Sequence, residues 1–163
     1  MAVLPLSEFL ASCSRFFLPG EGKKALVSVL GDGSEAFYLA QNGFSVEGVD
    51  PDIEHLKAIA RQAQKNGLFL KLIQADPDKI RLDKEKYDLI VCSGAETPFF
   101  ILQIKKGVKS GGFILMESEI NSRKFGKALF PFKDYLILKK GYSHLGGSLA
   151  KAFLLVQKPE SSV

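Results

Sequence analysis

The stretch ALVSVLGDGSEAFYLAQNGFSVEGVD, from Ala25 to Asp50, limits what this chain can fold into more than any other. It predicts a buried strand over Ala25–Leu30, a glycine turn at Gly31-Asp32-Gly33, a helix to about Asn42, and a second strand over Phe44–Val49 that stops on Asp50. The first strand is short, largely apolar and uncharged, the pattern of a strand covered on both faces. Gly31 and Gly33 carry no side chains, so a ligand can approach the backbone where it turns into the helix. The helix start there offers unpaired N–H groups and a positive dipole end. Asp50, at the tip of the neighbouring strand, faces the same crevice with a carboxylate able to accept both hydroxyls of a ribose. The unit reads as half of a nucleoside-binding βαβ arrangement.

Gly31-Asp32-Gly33-Ser34-Glu35-Ala36 also satisfies the G-x-G-x-x-G/A fingerprint, with an acid at the right distance. An ordinary strand–turn–helix whose glycines only relieve a tight turn has the same local pattern. The motif alone does not choose between a nicotinamide dinucleotide and another adenosine-bearing ligand, so the rest of the chain must decide.

At 163 residues the chain is read as a single domain spanning 1–163, large enough for one well-covered core. A net charge of +4, with lysine pairs scattered at Lys23-Lys24, Lys105-Lys106 and Lys139-Lys140, indicates solvated surface and argues against a nucleic-acid partner. Cys13 and Cys92 have no cysteine or histidine at ligand spacing, so buried reduced thiols are expected, and no metal. No signal peptide or membrane span is evident, and a cytoplasmic location is the expectation. Leu6, Phe9, Leu10, Cys13 and Phe17 fall on one helical face and predict a short amphipathic helix, ended by Leu18-Pro19-Gly20.

After Asp50, Pro51 suits a helix start. Ile53, Leu56, Ile59, Ala60 and Ala63 make an apolar stripe that stops at Asn66-Gly67. A third strand is predicted over Phe69–Ile73, followed by Gln74-Ala75-Asp76-Pro77 and a connection too short for a full helix. A fourth strand, Tyr87–Cys92, leads through Ser93-Gly94-Ala95-Glu96-Thr97 into a helix from about Pro98 to Val108. Lys109-Ser110-Gly111-Gly112 reads as a turn, and Phe113–Met116 as a strand ending on Glu117. Tyr135–Leu138 and Ala152–Val156 read as strands around a glycine-bearing loop, Lys140–Gly147. That linker is too short for a parallel crossover, so the pair is expected to be an antiparallel hairpin. A nicotinamide-binding fold would instead continue in parallel units.

With these elements in place, the chain resembles the class I S-adenosylmethionine-dependent methyltransferases over roughly Lys24 to Pro159. The nearest likeness is to the small tellurite-resistance-type enzymes, carried by GDGSEAFYLAQNGFSVEGVD, LIQAD, YDLIVC and VKSGGFILMES in that order. The resemblance implies an α/β, Rossmann-like methyltransferase fold: a mostly parallel seven-stranded sheet with a C-terminal antiparallel hairpin. It implies S-adenosylmethionine as cofactor and a small-molecule acceptor. Gly31, Asp32 and Gly33 would lie against the methionine part, Asp50 and Pro51 at the ribose, Ala75 and Asp76 by the adenine, and Ser93 at the methionine end. Val29 stands where the superfamily's longer G-x-G-x-G pattern has its first glycine, Val27 where an acid is common, and Pro77 removes an N–H beside Asp76. A degenerate, non-catalytic member serving as a partner subunit is one alternative, and either a homodimer or a partner protein is compatible with the chain. A narrower similarity, in VDPDIEHL and Ala95-Glu96-Thr97-Pro98, is to nicotianamine-synthase-like enzymes, which transfer the aminocarboxypropyl arm of the same cofactor.

The candidate acid–base residues are Glu96 and His144. An acceptor pocket is expected between Ser93–Glu96, Glu117 and a Tyr142–His144 loop, all at the carboxyl edge of the sheet. His55, read as outward on its helix, is given no role. Asp50 is expected to tolerate replacement without loss of the fold, because it ends a strand.

Overall fold

The computed structural model describes residues 6–93, 97–119, 130–145 and 148–161. Among these, the strands β1 (Lys24–Ser28), β2 (Ser45–Asp50), β3 (Leu70–Gln74), β4 (Tyr87–Ser93), β5 (Val108–Glu119), β6 (Leu136–Leu145) and β7 (Ser148–Gln157) form one sheet. Its order is β3-β2-β1-β4-β5-β7-β6. The pairs from β3 to β5 are parallel, and β5–β7 and β7–β6 are antiparallel. This is the α/β sheet with a reversed C-terminal pair that the sequence predicts.

The apolar run of β1 is explained by its place between β2 and β4, where Ala25 to Ser28 are all buried. Alternate residues feed two cores. On one face Ala25, Val27 and Leu89 pack with the helices α1 (Leu6–Ser12), α2 (Ser14–Phe17), α3 (Ser34–Gln41) and α4 (Ile53–Lys65). On the other, Leu26, Ile90 and Ile114 pack with α5 (Pro98–Gly107) and with Phe132. The side chain of Asp52 caps α4 by accepting from Glu54 N at 2.9 Å, and Thr97 caps α5 by accepting from Phe100 N at 3.2 Å. Both cysteines are buried free thiols. No helix is long and apolar enough to cross a membrane, and no group of three or more His, Cys, Asp or Glu could hold a metal ion among the described residues.

Three local expectations are corrected. The single N-terminal helix is two, broken at Cys13. Lys109-Ser110-Gly111-Gly112 lies inside β5: pairing jumps from Tyr87–Val108 to Leu89–Phe113, with Gly111 at φ 77°, so the turn chemistry is spent on a bulge. Tyr142 to His144 lie in β6 rather than in a loop. Gly141, which suggests a loop in the sequence, makes room for an aromatic ring: a Cβ there would lie 2.8 Å from Phe9 Cε2. The polar run Lys139-Lys140 is explained by β6 being an edge strand.

The crevice at the carboxyl edge of the sheet

The turn after β1 is built on alternate residues with positive φ: Val29 at 60°, Gly31 at 54° and Gly33 at 83°. Val29 N donates to Val49 O at 2.9 Å, and Gly33 N closes the turn on Leu30 O at 2.8 Å. A Cβ on Gly31 would meet nothing within 4 Å, so the backbone there is open to a ligand. Gly33 is needed for packing instead, since a Cβ would lie 2.8 Å from the Phe37 ring. Asp32 folds back on α3: its Oδ1 accepts from Ser34 N at 2.9 Å and from Ser34 Oγ at 2.6 Å. These bonds hold the Asp32 carboxyl below its ordinary range.

Asp50 ends β2, and only 1% of it is exposed. Its Oδ2 accepts from Leu30 N at 3.0 Å and its Oδ1 from Asp52 N at 2.8 Å. The carboxylate therefore fastens the β1 turn to the start of α4. A carboxylate has about four acceptor positions, so about two remain. His55 covers them, with Nδ1 3.4 Å from each Asp50 oxygen and Nε2 3.6 Å from Asp52 Oδ2. The ring, half exposed, stands where a vicinal diol would bind both oxygens. His55 is exposed, as its outward reading has it, but its side chain also reaches Asp50, a contact that the sequence does not announce. Helix periodicity places its Cα on the polar side, but the side chain folds back over the N-terminus of α4.

Asp50 pairs with Gln74 in the β2–β3 register, and Ala75 N donates to Asp50 O at 3.3 Å. The Pro51 carbonyl accepts from Gln74 Nε2 at 3.4 Å. Asp76 is exposed at the start of the next turn, where its Oδ1 accepts from Asp78 N at 2.9 Å. Thr97 Oγ1 donates to Asp78 Oδ1 at 2.7 Å, joining that turn to the start of α5. Ser93 ends β4, half-buried, opposite Glu117 of β5. The fold thus gathers Gly31, Asp32, Gly33, Asp50, Pro51, Ala75, Asp76 and Ser93 at the carboxyl ends of β1 to β4. Glu96 lies outside the described residues. The backbone of His144 is at the same edge in β6, three strand spacings from β4, roughly 14 Å away; its side chain is outside the described set.

A second group of charges adjoins the turn. Glu117, 8% exposed, is paired with Lys151 of β7. Glu35, in the first turn of α3, feels Asp32, Glu117 and Lys151. Burial pushes the Glu35 carboxyl up from its ordinary value, and Asp32 and Glu117 add to this against Lys151. Apart from its own backbone N–H, no hydrogen bond reaches this carboxylate among the described residues. Glu35 and Lys151 were missed because Glu35 fills a variable position of the glycine fingerprint and Lys151 belongs to no motif. The usable signal was an acid two residues after Gly33 at a helix start. Because the folded chain holds the Glu35 proton more tightly than the unfolded chain, this residue costs stability as pH rises from its ordinary value of 4.5. Glu35→Gln is expected to raise the melting temperature at pH 7 and to leave it unchanged near pH 4, checked by thermal unfolding across that range.

A model of the methyltransferase domain matches residues 28–112, just over half of the chain, from the last residue of β1 into β5. The chain belongs to the methyltransferase-domain family. The ubiquinone biosynthesis O-methyltransferase of Rickettsia prowazekii is 29% identical over 99 residues, which is 58% of this chain and 39% of that protein. This chain therefore matches well under half the length of that relative. Among solved structures, TehB from Haemophilus influenzae superposes with a TM-score of 0.77 at 18% identity, over 92% of this chain and 61% of that one. The N-methyltransferase NodS from Bradyrhizobium japonicum gives 0.75 at 14% identity, over 94% and 96% of the two chains.

S-adenosylmethionine is the cofactor of this methyltransferase domain. The crevice has features that fit it: the open backbone at Gly31, the start of α3, and a buried acid with a half-exposed ring against it.

Proposed function

We propose that the domain methylates a small molecule that carries a dissociable proton. The supporting observation is the Glu35–Glu117–Lys151 group beside the open turn. Its two acids against one lysine, with Asp32 nearby, favour a neutral or cationic acceptor over an anion. The relative from Rickettsia, whose name assigns it O-methylation in ubiquinone biosynthesis, lends further support to a small acceptor. The cofactor, when bound, supplies an activated methyl group on a sulfonium.

The chain's own residues then have three tasks. Asp50 receives the ribose hydroxyls once His55 turns aside, with Pro51 beside it. Ala75 and Asp76 border the adenine, and Gly31, Asp32, Gly33 and Ser93 border the amino-acid end. Alignment of the acceptor provides much of the acceleration, and a base matters where the acceptor's proton must leave. Glu35 is the foremost candidate for that proton, with Glu96 and His144 as further candidates at the same edge.

The test is incubation with S-adenosylmethionine and a panel of phenols, amines, small thiols and metalloid oxyanions, read by mass spectrometry. Methylated product with S-adenosylhomocysteine is expected from a phenol, thiol or amine. Turnover confined to oxyanions would overturn the acceptor reading. Appearance of methylthioadenosine would instead identify aminocarboxypropyl transfer.

A further inference from the structure

Val29 is the one valine in the described chain with a positive φ. A β-branched residue in the left-handed region is a genuine outlier, because its branched side chain crowds its own backbone there. The conformation is imposed from both sides. Val29 N is bound to Val49 O at 2.9 Å, Leu30 N is bound to Asp50 Oδ2 at 3.0 Å, and Leu30 is packed where a Cβ on Gly48 would lie 2.8 Å from Leu30 Cδ2. A turn held this firmly requires the backbone that glycine adopts freely, yet a valine occupies it. Ser28 and Leu30 on either side are buried, whereas Val29 is only partly so. Val29 follows the last residue of β1, so this partly exposed valine stands at the carboxyl edge of the sheet, where the crevice lies.

We infer that Val29 is a specificity-determining residue that narrows the amino-acid end of the cofactor crevice, so that the domain grips its cofactor mainly by the nucleoside. The inference rests on the cofactor placement proposed above, with the nucleoside over Asp50 and the amino-acid arm against the turn. The two ends are unequal by construction. At the nucleoside end a buried carboxylate presents two acceptor positions. At the other, Val29 adds bulk, and Asp32 has turned its carboxylate onto the Ser34 N–H. Two consequences follow. The product, which has the same arm as the cofactor, is held weakly and leaves readily. Adenosine thioethers lacking the arm compete with the cofactor on nearly equal terms.

The experiment measures binding of S-adenosylhomocysteine and of 5′-methylthioadenosine, which lacks the amino-acid arm, by calorimetry. The proteins are the unaltered chain, Val29→Gly and Val29→Ala, each first checked for folding by thermal unfolding. Glycine removes both the bulk and the backbone strain, whereas alanine removes the two methyl groups and keeps a Cβ at the same φ. Both substitutions are expected to tighten S-adenosylhomocysteine at least about tenfold, the low end of what one or two methyl groups cost in a tight site. Methylthioadenosine is expected to change less than about twofold, within the scatter of contacts not touched by the change. An equal gain for both ligands would assign Val29 to turn strain alone and overturn the specificity role, as would a gain confined to glycine. Unchanged affinity for both ligands in folded variants would also overturn it. Absence of either ligand from all three proteins would remove the cofactor placement itself, and this inference with it.

Discussion

Asp50→Ala is expected to lower cofactor affinity by about 10- to 100-fold and the stability of the free protein by about 2 kcal/mol, the range for charge-assisted bonds and for a buried donor left unpaired. The two losses have different origins. Binding falls because the ribose hydroxyls lose their acceptor. Stability falls because Leu30 N loses its partner 3.0 Å away and Asp52 N its partner 2.8 Å away. Asp50 ends a strand as read, and its burial adds a stability cost to the change that the fold is still expected to tolerate. Asp50→Asn keeps one acceptor oxygen, so it is expected to recover part of the stability and little of the affinity. Chemical unfolding and calorimetry on the same samples separate the two effects. A folded Asp50→Ala protein with unaltered affinity would show that the ribose lies elsewhere. Unaltered stability would show that the two backbone donors find other partners.

The acid–base candidates carry the other large effect. With an acceptor whose proton must leave during attack, Glu35→Gln is expected to slow the chemical step by roughly 10²–10⁴-fold. Cofactor affinity should change little, because no cofactor contact is assigned to Glu35. A carboxyl raised by burial sits nearer the working pH than an exposed one, which suits it to accept a proton. Single-turnover rates for Glu35→Gln, Glu96→Gln and His144→Gln, measured with one acceptor, decide among them. If only Glu96→Gln or only His144→Gln is slow, the proton goes there. If all three react at the unaltered rate, alignment alone carries the reaction.

Much of this was legible in the chain because the signals were local. The uncharged run at Ala25 to Leu30 could only be a covered strand, and its burial on both faces between β2 and β4 bears that out. The short linker after Lys140 excluded a parallel crossover, which was enough to foresee the reversed pair. What was not legible depended on partners distant in sequence. Gly141 reads as a loop residue until Phe9 is placed over it. Glu35 and Lys151 lie on different elements and share surroundings only after the sheet has brought β7 beside β5. The His55–Asp50 contact was hidden for another reason: periodicity locates a Cα, whereas the contact depends on where a long side chain folds back. Ser28, whose buried hydroxyl has no partner among the described residues, is a polar end to an apolar strand that nothing in the structure explains.

The ring of His55 over Asp50 bears on how quickly the crevice can fill. The carboxylate has already left water and is already aimed by Leu30 N and Asp52 N, so a nucleoside arriving there meets a preorganised acceptor. Among the described side chains, the one within hydrogen-bond reach of that carboxylate is a half-exposed imidazole, which the nucleoside would displace. Rotamer changes of exposed side chains take picoseconds to nanoseconds, whereas lid and domain motions take microseconds or longer. On the proposed placement, admission of the ligand at this end is therefore expected to be limited by encounter rather than by rearrangement of the fold.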